Sequence, residues 1–199
     1  MDSFGNTKAT RHWRVVYPSS RLTNTLPTHS VMLVNANIDM NKWAQLSIQD
    51  TGDLVTIQFY GSYGKTTLFR IYNDCHHSAT VTALDDYSKA NMAILCASDS
   101  DHVLWCGDFN CHHPLWDEER NSHLFMAGAI REAEILLSVI ADHDMVMALP
   151  KDIPTLEAMA TKNWTRPDNV FCSANTESLL VSCMTDPRLR GRGPTMFPY

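Results

Sequence analysis

A short apolar run, Val103-Leu104-Trp105-Cys106, stops at Gly107 and gives way to Asp108-Phe109-Asn110, and this junction constrains the fold more than any other segment. A run of that length ended by glycine predicts a buried strand. Extended backbone alternates its side chains, so Asp108 and Asn110 share one side and Phe109 takes the other. The chain must therefore build a sheet that is dry along this strand and wet at its end. A carboxylate that orients water or ligates a hard metal, beside a carboxamide that holds an oxyanion, suits phosphoester hydrolysis. Both residue types also favour turns by bonding their own backbone, so four residues alone equally describe a strand that ends in a turn.

The first half of the chain alternates like a β-meander. Strands are predicted at 30–34, 44–48, 54–60 and 67–72, each bounded by Asn, Asp or Gly, with Asp50-Thr51-Gly52-Asp53 turning the second into the third. The second half places helices between strands. From 126 to about 142 the apolar residues Met126, Ala129, Ile130, Ala133, Leu137 and Ile140 recur at helical spacing, with Arg131, Glu132, Glu134 and Ser138 opposite. A second helix is expected from 78 to 91, and further strands at 102–107, 169–173 and 178–183. Strands first, then strands alternating with helices that cover a sheet, describe an α/β or α+β sandwich. The 199 residues suit one domain, and no internal repeat is visible.

Composition narrows the function classes. With 44% apolar and 19% charged residues the chain is of globular type, not disordered. A formal net charge of −6 argues against a surface that coats nucleic acid through Lys and Arg, so any DNA chemistry must rest on a localised site. Lys8, Arg11 and Arg14, and Arg188, Arg190 and Arg192, form two local basic stretches of the kind common on solvated surfaces. The six cysteines are expected to be reduced and intracellular, because the first residues lack an apolar signal core. No apolar stretch approaches the roughly 20 residues of a membrane helix, so no membrane partner is expected.

The stretch Gly107-Asp108-Phe109-Asn110-Cys111-His112-His113-Pro114-Leu115-Trp116 resembles the central motif of the endonuclease/exonuclease/phosphatase family, in the form found in non-LTR (LINE-type) retrotransposons. The likeness extends to His12-Trp13-Arg14-Val15-Val16-Tyr17-Pro18, to Ile71-Tyr72-Asn73-Asp74, and to Arg166-Pro167-Asp168-Asn169-Val170-Phe171. It implies a two-sheet, four-layer DNase I-like sandwich and a Mg²⁺-dependent phosphodiester hydrolase that nicks DNA, leaving a 3′ hydroxyl to prime reverse transcription. Asp108 and Asn110 would orient the attacking water and hold the scissile phosphate, with Asp108 also a metal ligand. Tyr72 would donate to a phosphate oxygen, Asp168 would buttress a catalytic histidine, and Asn73 and His113 would lie against the substrate. A reverse transcriptase domain in a longer product and a nuclear location follow from the same resemblance.

Departures from the family pattern set a second expectation. The family's proline two positions after the site tyrosine is Asp74 here, and Met196 stands where a terminal Asp-His pair is usual. The strand-end Asn and Glu that precede the segment resembling 6–18 are not in the chain, so an incomplete domain at 1–199 is expected, lacking its first strands, with impaired hydrolysis and reduced stability. The rival of another class is a catalytically inactive remnant, or a module that binds DNA or protein on the same fold. The tripeptide Cys-His-His, at 75–77 and again at 111–113, leaves room for Zn²⁺, though its spacing matches no recognised zinc module.

Overall fold

Residues alternating between two apolar environments organise the computed structural model, which describes residues 7, 9–22, 27–74, 77–158 and 161–186. Lys8, Cys75, His76, the three arginines at 188, 190 and 192, and the segment 193–199 with Met196 lie outside the described residues. The elements in chain order are β1 (Trp13–Val16), β2 (Met32–Asn35), β3 (Trp43–Leu46), β4 (Leu54–Gly61), β5 (Gly64–Tyr72), α1 (Ala79–Ala90), α2 (Met92–Leu95), β6 (His102–Asp108), α3 (Ala127–Asp142), β7 (Met145–Met147), β8 (Leu156–Glu157), β9 (Trp164–Thr165), β10 (Asp168–Ser173) and α4 (Ala174–Glu177). Six of the strands form one sheet in the order β3-β4-β5-β6-β10-β7. Among the described residues only β5 and β6 pair in parallel, and the crossover such a pair requires is made by α1 and α2.

The two faces of this sheet explain its sequence. Leu54, Phe69, Ile71, Trp105 and Phe171 enter one core with Val81, Leu84, Ala133, Leu136 and Val139 from α1 and α3. Val55 and Ile57 enter a second core with Val16, Met32 and Val34 from the antiparallel pair β1–β2. Buried on both faces, β4 reads as a nearly continuous apolar run. Helices therefore cover one face and a small sheet part of the other, as expected for an α/β sandwich. Among the described residues no helix is long and apolar enough to cross a membrane.

The expected helices and strands are formed with small shifts in their bounds, apart from 178–183. There the chain leaves β10 through α4, and Leu179 and Val181 are exposed. The side of β10 where a further strand would add is taken by β7, a strand too short to read from sequence. Helix α3 buries Ala133, Leu136 and Val139, so its inward face is turned from the one the spacing predicts, and Met126 is exposed.

Gly107 sets how closely β5 and β6 approach. A Cβ there would stand 1.9 Å from the Ile71 carbonyl oxygen and 2.5 Å from Arg70 Nη1, which itself donates to that carbonyl at 2.9 Å. Backbone cannot yield by that amount without breaking the ladder. Gly107→Ala is expected to cost about 3 kcal/mol, as overpacking of a tight interior does, read as a lowered urea midpoint by circular dichroism. A midpoint equal to that of the wild type would contradict the packing described.

Candidate active site

Three of the residues singled out in the sequence are cross-strand neighbours. Register pairs Tyr72 at the end of β5 with Asp108 at the end of β6, and Asp108 with Asp168 at the start of β10. Residues directly opposite in a ladder have Cβ atoms about 5 Å apart and point to the same face. A phenol and two carboxylates thus form a row across one edge of the sheet. The row continues to β4, where the Tyr72 amide donates to the Asp53 carbonyl at 3.0 Å.

The turn after β6 is held by its own polar groups. Asn110 adopts a left-handed backbone, φ 48°, which asparagine tolerates better than most residues. Its amide donates to Asp108 Oδ1 at 3.0 Å, and its side-chain Nδ2 donates to the Asn73 carbonyl at 2.7 Å. The second Nδ2 hydrogen and Oδ1 remain for a substrate. Asn73, 4% exposed, lies beneath this turn: its amide donates to the Asp108 carbonyl and its Nδ2 to the Phe109 carbonyl at 3.0 Å. Its visible work is to hold the motif's backbone.

Charge in the row is strained. Burial first, and then the facing charge of Asp168, push the Asp108 carboxyl up to about 6, against the Asn110 amide, the Arg70 guanidinium and His112, which favour the ionised form. Among the described residues no histidine hydrogen-bonds Asp168, and no three His, Cys, Asp or Glu side chains converge as a metal cluster. Mg²⁺ sites are commonly made by one or two carboxylates, completed by water and phosphate oxygens, and two hard oxygen donors that repel each other fit that minimal case. Asp108 and Asp168 would hold the ion.

The histidines of the motif divide. His112 Nδ1 lies 3.3 Å from Asp117 Oδ2, and His112 is the one whose charge reaches Asp108. His113 stacks at 5.2 Å on Trp116, and its Nδ1 accepts from the Leu115 amide at 3.1 Å, so neutral His113 carries its proton on Nε2. Burial lowers its pKa. Cys111 turns into the core, where burial raises its thiol to about 12, so it is a poor thiolate ligand for the zinc alternative.

Two groups escaped notice in the sequence. Asp117, buried, accepts the His113 amide at 3.0 Å and fixes the loop after the motif. Arg166, 1% exposed, donates to the carbonyls of Trp116, Pro150 and Leu149 and, through Nε and Nη2, to Asn169 Oδ1 at 3.0 and 2.7 Å. The available signal was its place directly before Pro167-Asp168 in the segment already singled out; its burial, and the partners that a buried Arg requires, are tertiary facts.

A mixed sheet with helices on one face and a small second sheet on the other is the α/β fold of DNase I-like endonucleases. Residues 66–188, more than half of the chain, match the model of the endonuclease-reverse transcriptase family, and the chain belongs to that family. Among solved structures it is similar to the endonuclease domain of TRAS1, a telomere-specific non-LTR retrotransposon, at 16% identity and a TM-score of 0.57, covering 85% of this chain and 71% of that one. An AP endonuclease from Archaeoglobus fulgidus is similar at 15% identity and a TM-score of 0.54, covering 90% and 75%. The curated proteins contain no match.

Two outcomes follow from this geometry. Because folding raises the Asp108 pKa from its ordinary 3.8, stability from this group is full below about pH 4 and is lost as pH rises through about 6. In EDTA, Asp108→Asn is expected to raise the Tm at pH 7.5 by about 3 °C and to leave it unchanged at pH 4; equal effects at both would refute the strain. Arg166→Lys, which loses the planar fork, is expected to cost about 2 kcal/mol in a denaturant titration, and a neutral result would refute its role as a hub.

Proposed function

We propose that the protein is a Mg²⁺-dependent phosphodiester hydrolase acting on DNA. The observation that carries this is the register Tyr72–Asp108–Asp168, which aligns a phenol donor and two carboxylates on one sheet edge. Asp108 orients a water and accepts its proton. The Asn110 carboxamide, locked by the left-handed turn, and the Tyr72 hydroxyl donate to the non-bridging phosphate oxygens, where charge grows in the transition state. Asp108 and Asp168 would hold Mg²⁺, which would supply charge neutralisation at the phosphate and a more acidic water.

In this reading Asp168 acts beside Asp108, and Asn73 contributes by shaping the turn on which Asn110 stands. His113 offers Nε2–H at the rim to a neighbouring phosphate. The nick leaves a 3′ hydroxyl, the primer a reverse transcriptase in a longer product would extend in the nucleus; the family's name supports the link to a reverse transcriptase.

The test is nicking of supercoiled plasmid by purified protein with Mg²⁺. Expected are conversion to the open circle, none in EDTA, and a loss of about 10³-fold or more with Asp108→Ala, in line with removing a group that works as part of a unit. Plasmid bound on filters but never nicked would instead favour a binding module, and neither activity a remnant.

A further inference from the structure

The row of polar residues does not stop at Tyr72. Beyond it, on the side away from Asp108, the His29 ring lies 5.0 Å from the Tyr72 ring, tilted by 43°. His29 Nδ1 lies 2.6 Å from Asp53 Oδ1, and the other Asp53 oxygen accepts from the Thr80 hydroxyl at 3.4 Å. The backbone beneath is pinned as well: the amides of His29 and Ser30 donate to the Gly52 carbonyl, and a Cβ on Gly52 would stand 2.1 Å from the Pro27 carbonyl oxygen. The ring is nonetheless accessible, with 45% of the His29 side chain exposed and 21% of Asp53. A histidine held through one nitrogen by a carboxylate, its ring partly exposed beside that of Tyr72, is arranged for proton transfer.

We infer that His29, oriented by Asp53, is the acid that protonates the leaving oxygen of the phosphodiester. The inference rests on the hydrolytic reading above and adds to it a residue from outside the motifs. Displacement at phosphorus runs in line, so a water held by Asp108 expels the oxygen on the opposite side, which is the side of Tyr72 and His29. Two strand spacings of about 4.8 Å separate the Asp108 and Asp53 columns. That spacing leaves room for a phosphate between the two columns.

The protons balance. Water attacks phosphorus and gives a proton to the Asp108 carboxylate. The P–O3′ bond breaks with its electron pair on O3′, which takes the Nε2 proton of the His29 imidazolium. Neutral His29 keeps its Nδ1 proton on the hydrogen bond to Asp53, and both groups return to their starting states by exchange with solvent.

The test compares two oligonucleotide duplexes with Mg²⁺, one natural and one carrying a bridging 3′-sulfur at the cleaved position. A thiolate leaves without protonation near neutral pH. Expected is a loss of about 10²-fold or more on the natural bond for His29→Ala, the usual scale of general acid catalysis, with the rate on the sulfur-bridged bond unchanged. Asp108→Asn should lose both. His29→Gln, which keeps a polar contact for Asp53 but no dissociable proton, should match His29→Ala and carries the test should the alanine variant melt below assay temperature. Wild-type cleavage with equal losses on both bonds, or with no loss, overturns the role of His29 alone. Failure of the wild type to cleave either bond overturns the hydrolytic reading and this one with it.

Discussion

The Arg166 guanidinium is the interaction on which the geometry of the site depends. It is buried, and its fork collects carbonyls from the loop after the central motif and from the segment that follows β7, together with the Asn169 amide one position into β10. The Trp116 carbonyl also accepts the Asp152 amide, but without Arg166 the buried Leu149 carbonyl and Asn169 Oδ1 would lose their donor, a state that costs as much as the hydrogen bond is worth and more. By gathering them, one side chain joins the loop carrying Trp116 to the strand carrying Asp168. The neighbouring Pro167 carbonyl then accepts the Phe109 amide, which fixes the start of β10 against the end of β6. Nothing in that chain of contacts touches a substrate, yet the Asp108–Asp168 pairing rests on it.

Around this frame the chain accepts a local cost. Two carboxylates are held opposite one another at a partly dehydrated strand end, an arrangement that a protein selected for stability alone would replace with amides. Such costs are common where a site needs groups in states that water would not favour. The compensation comes from elsewhere: helices α1 and α3 close one core on the sheet, β1–β2 close another, and Gly107 lets β5 and β6 approach without a side chain between them.

Much of this was legible before any coordinates. The apolar run ended by Gly107 identified β6, the 3.6-residue spacing identified α3, and the motif residues brought Tyr72, Asp108 and Asp168 forward as a set. What sequence could not supply was register. Whether Tyr72 stands opposite Asp108 or one residue away is decided by the packing of Ile71 and Trp105 into the same core, a tertiary fact. His29 and Asp53 escaped for a related reason: they lie 24 residues apart, in no recognisable motif, and meet only because both flank the start of β4. The strand expected at 178–183 failed because its apolar run Leu179-Leu180-Val181 had no edge to join, β7 having taken it through a segment too short to announce itself.

The parallel pairing of β5 with β6, and the return of β10 to β6 from some 60 positions further on, also governs when the site can come into being. As the chain leaves the ribosome, Tyr72 and Asp108 can be aligned only after the α1–α2 crossover has folded, and Asp168 joins them last. Long-range pairings of this kind form slowly because the loops they close must be ordered first. In a nascent chain the Tyr72–Asp108–Asp168 row is therefore incomplete until nearly all of the sheet is assembled, and no shorter stretch of the chain can present it.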